Sequence, residues 1–136
     1  MKEFDELLRS MNLDFFGKGK HKISPSTHFN AENSILLDVR SKEEFETLSL
    51  NLYHHMPVLH IPIDEIPDRL NEIPKDKKIG IFCSSGVRAT IVYVYLRLKG
   101  YSPDNVKILE GGYGALVSEL TPGKLLSKII ENREKE

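Results

Sequence analysis

The residue of this sequence best suited to covalent chemistry is its single cysteine, Cys83. It follows an apolar run of strand length at 79–82 and precedes a helical pattern at 87–99, so a strand would deliver it to the start of a helix. Open α/β sheets place their sites at this end of a strand. The segment after the cysteine, here called the loop, runs into the first two residues of the helical pattern and consists of Ser84, Ser85, Gly86, Val87 and Arg88.

This loop is suited to holding an anion. Its successive backbone N–H groups and those of the following helix can converge on one spot. Gly86 permits a tight turn, and Arg88 adds a fixed positive charge that, with the helix N-terminus, favours a thiolate. We therefore predict that Cys83 is a nucleophile and that the backbone of 84–88 cradles its sulfur or the outer sulfur of a persulfide. The alternative for a lone cysteine at a strand end is a small buried hydrophobe.

Two further charged residues, Asp38 and Arg40, end another strand-like run at 35–39. They could line a pocket on the same side of the sheet, where Arg40 would attract an anionic donor. Alternatively, they pair locally, with each other or with Glu43 or Glu44, and hold the entry to the next helix.

A metal site is not predicted. His54, His55 and His60 lie within seven residues. However, no cysteine or acid completes a recognisable zinc-binding spacing around them.

Apolar periodicity and turn residues predict an α/β domain built around a mainly parallel sheet. Ser41 and Glu44 form a capping-box pattern, and Gly100 is a helix stop. The predicted strands are 20–24, 35–39, 59–61, 79–82 and 106–109, and the predicted helices are 42–50, 66–73, 87–99 and 121–131. We divide the chain into an N-terminal helical extension (1–19), a central domain (20–120) and a C-terminal helix (121–136).

The N-terminal extension has its own amphipathic pattern. Phe4, Leu7, Leu8 and Met11 fall on one face of a helix, which Gly17 and Gly19 should end. This face would cover either the domain's own core or a partner, so the chain is expected to be a monomer or a homodimer.

Bulk composition excludes several classes of function. The 136 residues suit one core, and a net charge of −1 indicates neither a nucleic acid nor a membrane partner. We find no apolar run long enough to span a bilayer, and residues 1–10 lack the apolar stretch of a signal peptide. One cysteine excludes an internal disulfide and fits a reducing compartment, so we expect a cytoplasmic protein.

Three short blocks of residues, in order, resemble the rhodanese homology domain over about residues 23–116. The first block is 36–40 together with 43–45, the second is the loop 83–88, and the third is 109–112. The segment 54–59 departs from the family's Gly-His-Ile-Pro-Gly-Ala pattern, and no site role is transferred to it.

The resemblance implies a five-stranded, mainly parallel sheet with helices on both faces, and a ping-pong sulfurtransferase without cofactor or metal. Cys83 would take sulfur from thiosulfate or another sulfane donor and pass it to a thiol, cyanide or a protein acceptor. Family sulfurtransferases have six residues from the cysteine through the arginine, as here, whereas phosphatases of this fold have one more. The alternatives are therefore a phosphatase or arsenate reductase, and a noncatalytic module that senses sulfide or binds a partner.

Overall fold

A computed structural model of the chain describes residues 1–47 and 56–111. Five strands form one sheet in the order β1-β5-β4-β2-β3, and all four neighbouring pairs are parallel. The strands are β1 (Lys22–Ile23), β2 (Ser34–Asp38), β3 (Val58–His60), β4 (Lys78–Phe82) and β5 (Val106–Leu109). The predicted α/β class and parallel sheet are confirmed, each strand lying within two residues of its predicted position.

Side chains of the central strands alternate between two hydrophobic clusters, one on each face of the sheet. Ile79 and Ile81 of β4 belong to the larger cluster, whereas Phe82 belongs to the smaller one. Because both faces are buried, these strands read as continuous apolar runs rather than as alternating patterns.

Helices cover both faces of this sheet. The helices are α1 (Lys2–Ser10), α2 (Leu13–Gly17), α3 (Pro25–Asn30), α4 (Lys42–Thr47) and α5 (Val87–Leu98). Phe15 of α2 and Leu96 of α5 lie in the larger cluster, and Phe29 of α3 lies in the smaller one.

Local capping signals begin and end these helices. The Ser24 hydroxyl accepts from Thr27 N at 3.2 Å and starts α3. The Ser41 hydroxyl accepts from Glu44 N at 3.2 Å, while Glu44 Oε1 accepts from Ser41 N at 3.2 Å, which is the predicted capping box. Gly100, with φ of +91°, follows the end of α5 as predicted.

Two predicted helices were wrong in detail. The segment 66–73 is not an α-helix: Ile63–Glu65 and Pro67–Glu72 are 3₁₀ segments, and Arg69 departs from helical geometry at φ −119° and ψ 18°. Pro67 has no N–H to donate, and i to i+3 bonds such as Ile73 N to Leu70 O (3.1 Å) take over.

The N-terminal segment is two helices rather than one. The Asn12 side chain accepts from Phe15 N at 3.1 Å and caps α2, which breaks the helical pattern after Ser10. Leu7 and Phe15 are buried, whereas Leu8 is 53% exposed. The apolar face of this extension is therefore used in part on the chain's own core.

Some predicted features fall on segments outside the described residues. These segments include His54 and His55, the last three residues of the predicted helix 42–50, and the C-terminal helix 121–136.

Candidate active site

Cys83 directly follows β4, so the central strand fixes its position. Its side chain is 1% exposed, whereas Ser84, Ser85 and Val87 beside it are exposed. The Sγ atom accepts two backbone hydrogen bonds, from Gly86 N at 3.0 Å and from Ala89 N at 3.3 Å. Two N–H groups aimed at one sulfur stabilise negative charge on it.

The turn that aims these donors depends on Gly86. This residue is the N-cap of α5 and has φ of +94° and ψ of −12°, a conformation that side chains disfavour. Its carbonyl accepts from Thr90 N at 3.0 Å and from Thr90 Oγ1 at 2.8 Å, which ties the turn to the first turn of α5.

The cradle differs in one respect from the one predicted for 84–88. Among the hydrogen bonds of the described residues, Gly86 is the one loop residue whose N–H reaches Sγ. The second donor, Ala89, lies one residue beyond the loop. The sequence did indicate that a donor such as the Ala89 N–H is available, because the first N–H groups of any helix lack intrahelical partners.

The Arg88 side chain binds a carboxylate on another helix. Its Nη1 donates to Glu44 Oε1 at 2.6 Å, and its Nη2 donates to Glu44 Oε2 at 3.0 Å and to Ser84 Oγ at 2.9 Å. Arg88, and to a lesser degree Ser41, holds the pKa of Glu44 at about 2, below its ordinary 4.5. In turn, Glu44 raises the pKa of Arg88. Sequence reasoning missed this pair, because 44 residues separate its members.

Asp38 and Arg40 form a buried ion pair with each other. Arg40 Nη2 donates to Asp38 Oδ2 at 2.8 Å and Arg40 Nε donates to Asp38 Oδ1 at 3.0 Å, with the side chains 3% and 0% exposed. The Arg40 guanidinium also lies over the Phe82 ring, 5.1 Å from its centroid. Of the two alternatives predicted for Asp38 and Arg40, the structure shows the local ion pair between them. Glu44 accepts hydrogen bonds from Arg88 instead.

A cavity of about 350 Å³ opens beside the loop. Ser85, Gly86 and Val87 form its wall on the loop side. The cavity also brings a cation, Lys22, and an anion, Glu110, next to the loop. Cys83 itself is not among the residues that line this cavity.

Two kinds of feature are absent from residues 1–47 and 56–111. No three His, Cys, Asp or Glu side chains there form a group able to hold a metal ion. His60, the member of the histidine cluster that is described, stacks on Phe45 with centroids 4.0 Å apart. No helix in the same ranges is both long and apolar enough to cross a bilayer.

The chain is similar in sequence and in fold to several known proteins. Residues 26–119 match the sequence model of the rhodanese-like domain. A sulfurtransferase of Allochromatium vinosum is 34% identical over 83 residues, which cover 61% of this chain and 71% of that protein. A tRNA sulfurtransferase of Psychromonas ingrahamii is 33% identical over 78 residues, which cover 57% of this chain.

The chain spans 15–17% of the length of the tRNA sulfurtransferases that it matches. Among solved structures, a rhodanese-related protein from Thermoplasma volcanium superposes with a TM-score of 0.62 at 25% identity. That match covers 75% of this chain and 95% of the other.

Proposed function

We propose, from the premise that this chain belongs to the family of rhodanese-like domains, that it is a sulfurtransferase carrying sulfane sulfur on Cys83. The observation that carries this proposal is the Sγ atom held by two N–H groups, from Gly86 at 3.0 Å and Ala89 at 3.3 Å. These donors hydrogen-bond the sulfur before transfer and are placed to hold a persulfide anion after it.

The reaction has two halves. The Cys83 thiolate attacks the outer sulfur of a donor, the donor's S–S bond breaks, and the leaving group departs with the electron pair. With thiosulfate the leaving group is sulfite, and with an organic persulfide it is a thiolate. A thiol, cyanide or protein acceptor then attacks the outer sulfur of the Cys83 persulfide and restores the thiolate.

Phosphate chemistry is the second candidate for this fold. The loop from Cys83 through Arg88 has six residues, and the resemblance associates this length with sulfur and a longer loop with phosphatases. In addition, the Arg88 fork is already filled by Glu44, at 2.6 and 3.0 Å, rather than open toward the oxygens of a phosphoryl group. Both features support sulfur transfer over phosphoryl transfer.

Mass spectrometry tests the proposal. The purified chain is incubated with thiosulfate, with polysulfide and with a glutathione persulfide, and Cys83→Ser serves as the matched control. We expect an adduct of about 32 Da that a reductant removes and that is absent from the variant. Failure of every donor, together with hydrolysis of an aryl phosphate, would establish the phosphatase alternative. Failure of both reactions would support the noncatalytic module.

A further inference from the structure

The two arginines beside the loop are both held by carboxylates. Arg88 makes two hydrogen bonds to Glu44, and Arg40 makes a buried pair with Asp38. Neither guanidinium therefore presents an uncompensated positive charge to an incoming donor. For Arg40 this is the local-pair alternative given above. Arg88 was expected to add a fixed positive charge to the loop, and the structure pairs that charge with Glu44.

The lining of the cavity beside the loop carries charges of both signs. Its lining contains one cation, Lys22, and one anion, Glu110. His21 also lines the cavity, and burial followed by the nearby Lys22 lowers the pKa of its ring, which favours the neutral form. Among the described residues, negative charge on the sulfur is stabilised chiefly by the two N–H groups rather than by an unpaired cation.

Glu44 lies close enough to the loop to influence what enters it. The guanidinium that it binds also donates to Ser84 Oγ at 2.9 Å, and Ser84 is the residue after the nucleophile. Glu44 is half-exposed, and its carboxylate faces the same helix start that holds Cys83 Sγ. A donor with two negative charges therefore approaches a pair whose net charge is zero.

We infer, on the basis of the proposed function, that Glu44 selects the sulfur donor by neutralising Arg88. The favoured class is organic donors with a single negative charge at the transferable end, such as a hydropersulfide anion, and dianionic thiosulfate is disfavoured. Glu44 acts through Arg88 and is a positioning residue rather than a catalytic one.

Two sulfur donors of nearly the same shape differ in charge, so a comparison between them isolates the effect of the donor's charge. Thiosulfate carries two negative charges, and methanethiosulfonate replaces one oxygen anion with a methyl group and carries one. In both reactions the Cys83 thiolate takes the outer sulfur and the S–S bond breaks. The electron pair leaves on sulfite from thiosulfate, or on methanesulfinate from methanethiosulfonate. The measured quantity is kcat/KM for each donor with cyanide as acceptor.

Glu44→Gln removes the charge and keeps the shape, and glutamine also serves in a capping box with Ser41. The matched control is Glu43→Gln, which removes an equal charge from the exposed neighbour on α4. We expect Glu44→Gln to raise the ratio of thiosulfate to methanethiosulfonate kcat/KM on the order of fivefold at low salt, and the gain to shrink at 0.5 M salt. Glu43→Gln should leave the ratio within about twofold of wild type.

The outcomes separate the two proposals. An unchanged ratio in Glu44→Gln, an equal rise in Glu43→Gln, or a rise that salt does not reduce would overturn the role of Glu44 while leaving sulfur transfer intact. Absence of a Cys83 persulfide with both donors would overturn the proposed function itself.

A second measurement does not depend on the variant's folding. In the wild-type protein, kcat/KM for the two donors should change in parallel, by less than about twofold, between about 0.05 M and 0.5 M salt. A steep loss for thiosulfate alone would reveal an unpaired cation at the site and overturn the inference.

Discussion

The substitution Gly86→Ala tests whether the loop backbone holds the sulfur, because it adds one methyl group at a position with room for it. Among the described residues, no heavy atom other than those of its chain neighbours lies within 4 Å of a Cβ built at Gly86. The residue has φ of +94°, however, in the region where L side chains are strained. Steric overlap with the described residues is therefore excluded, and we expect the effect of the substitution to come from the backbone.

The loop can respond to this strain in two ways, and each has its own expected free-energy cost. If the loop keeps its geometry, the free energy of unfolding falls by about 1–2 kcal/mol, the cost of left-handed backbone for a residue with a Cβ. If the loop relaxes, Gly86 N moves from its place 3.0 Å from Sγ. Loss of a hydrogen bond to a charged group costs about 1.5–3 kcal/mol, which slows persulfide formation about 10- to 150-fold.

Both quantities are measured on the same protein. Urea unfolding gives the free energy, and mass spectrometry at timed quench points gives the rate constant for persulfide formation. Gly17→Ala is the matched control, because Gly17 also has open space around it but lacks a positive φ. If Gly86→Ala matched Gly17→Ala in both stability and rate, the Gly86 backbone would have no role in holding the sulfur.

Three other predictions concern groups around the site. Gly80→Ala would place a Cβ 2.7 Å from the buried His28 ring, so we expect urea unfolding to show a loss of about 1–3 kcal/mol; wild-type stability would contradict the packing described. Asp38→Asn leaves the buried Arg40 charge without its carboxylate, so the free energy of unfolding should fall by about 3–5 kcal/mol. A change below about 1 kcal/mol would mean that water reaches the ion pair. The loop arginine holds the pKa of Glu44 at about 2, below its ordinary 4.5, so the carboxylate's contribution is complete above pH 4.5 and is lost as pH falls toward 2. The stability difference between wild type and Glu44→Gln should therefore shrink across that range in denaturation curves, and a difference independent of pH would refute the ion pair.

Features encoded by neighbouring residues could be predicted from the sequence. The strand before Cys83, the tight turn at Gly86 and the helix that ends before Gly100 each depend on residues a few positions apart. The same is true of the capping box, where Ser41 and Glu44 bond each other's backbone N–H. Apolar runs, caps and glycines act within one turn or one strand, so their signals survive without knowledge of the fold.

The partners of charged side chains could not be predicted in this way. Glu44 was a candidate partner for Arg40, four residues away, yet it binds Arg88. The prediction of an α-helix at 66–73 failed for a related reason. The spacing of its apolar residues did not indicate that Pro67 and the backbone of Arg69 favour 3₁₀ geometry.

The sequence by itself thus determined the nucleophile's local setting, namely a strand, a cysteine, a glycine turn and a helix. The tertiary structure decided which charges surround that setting, and the reason lies in the sheet order β1-β5-β4-β2-β3. Because β2 and β4 are parallel neighbours, their carboxyl ends meet at one edge of the sheet. The helix after β2 therefore starts beside the loop after β4, and Glu44 meets Arg88 only once these strands have paired.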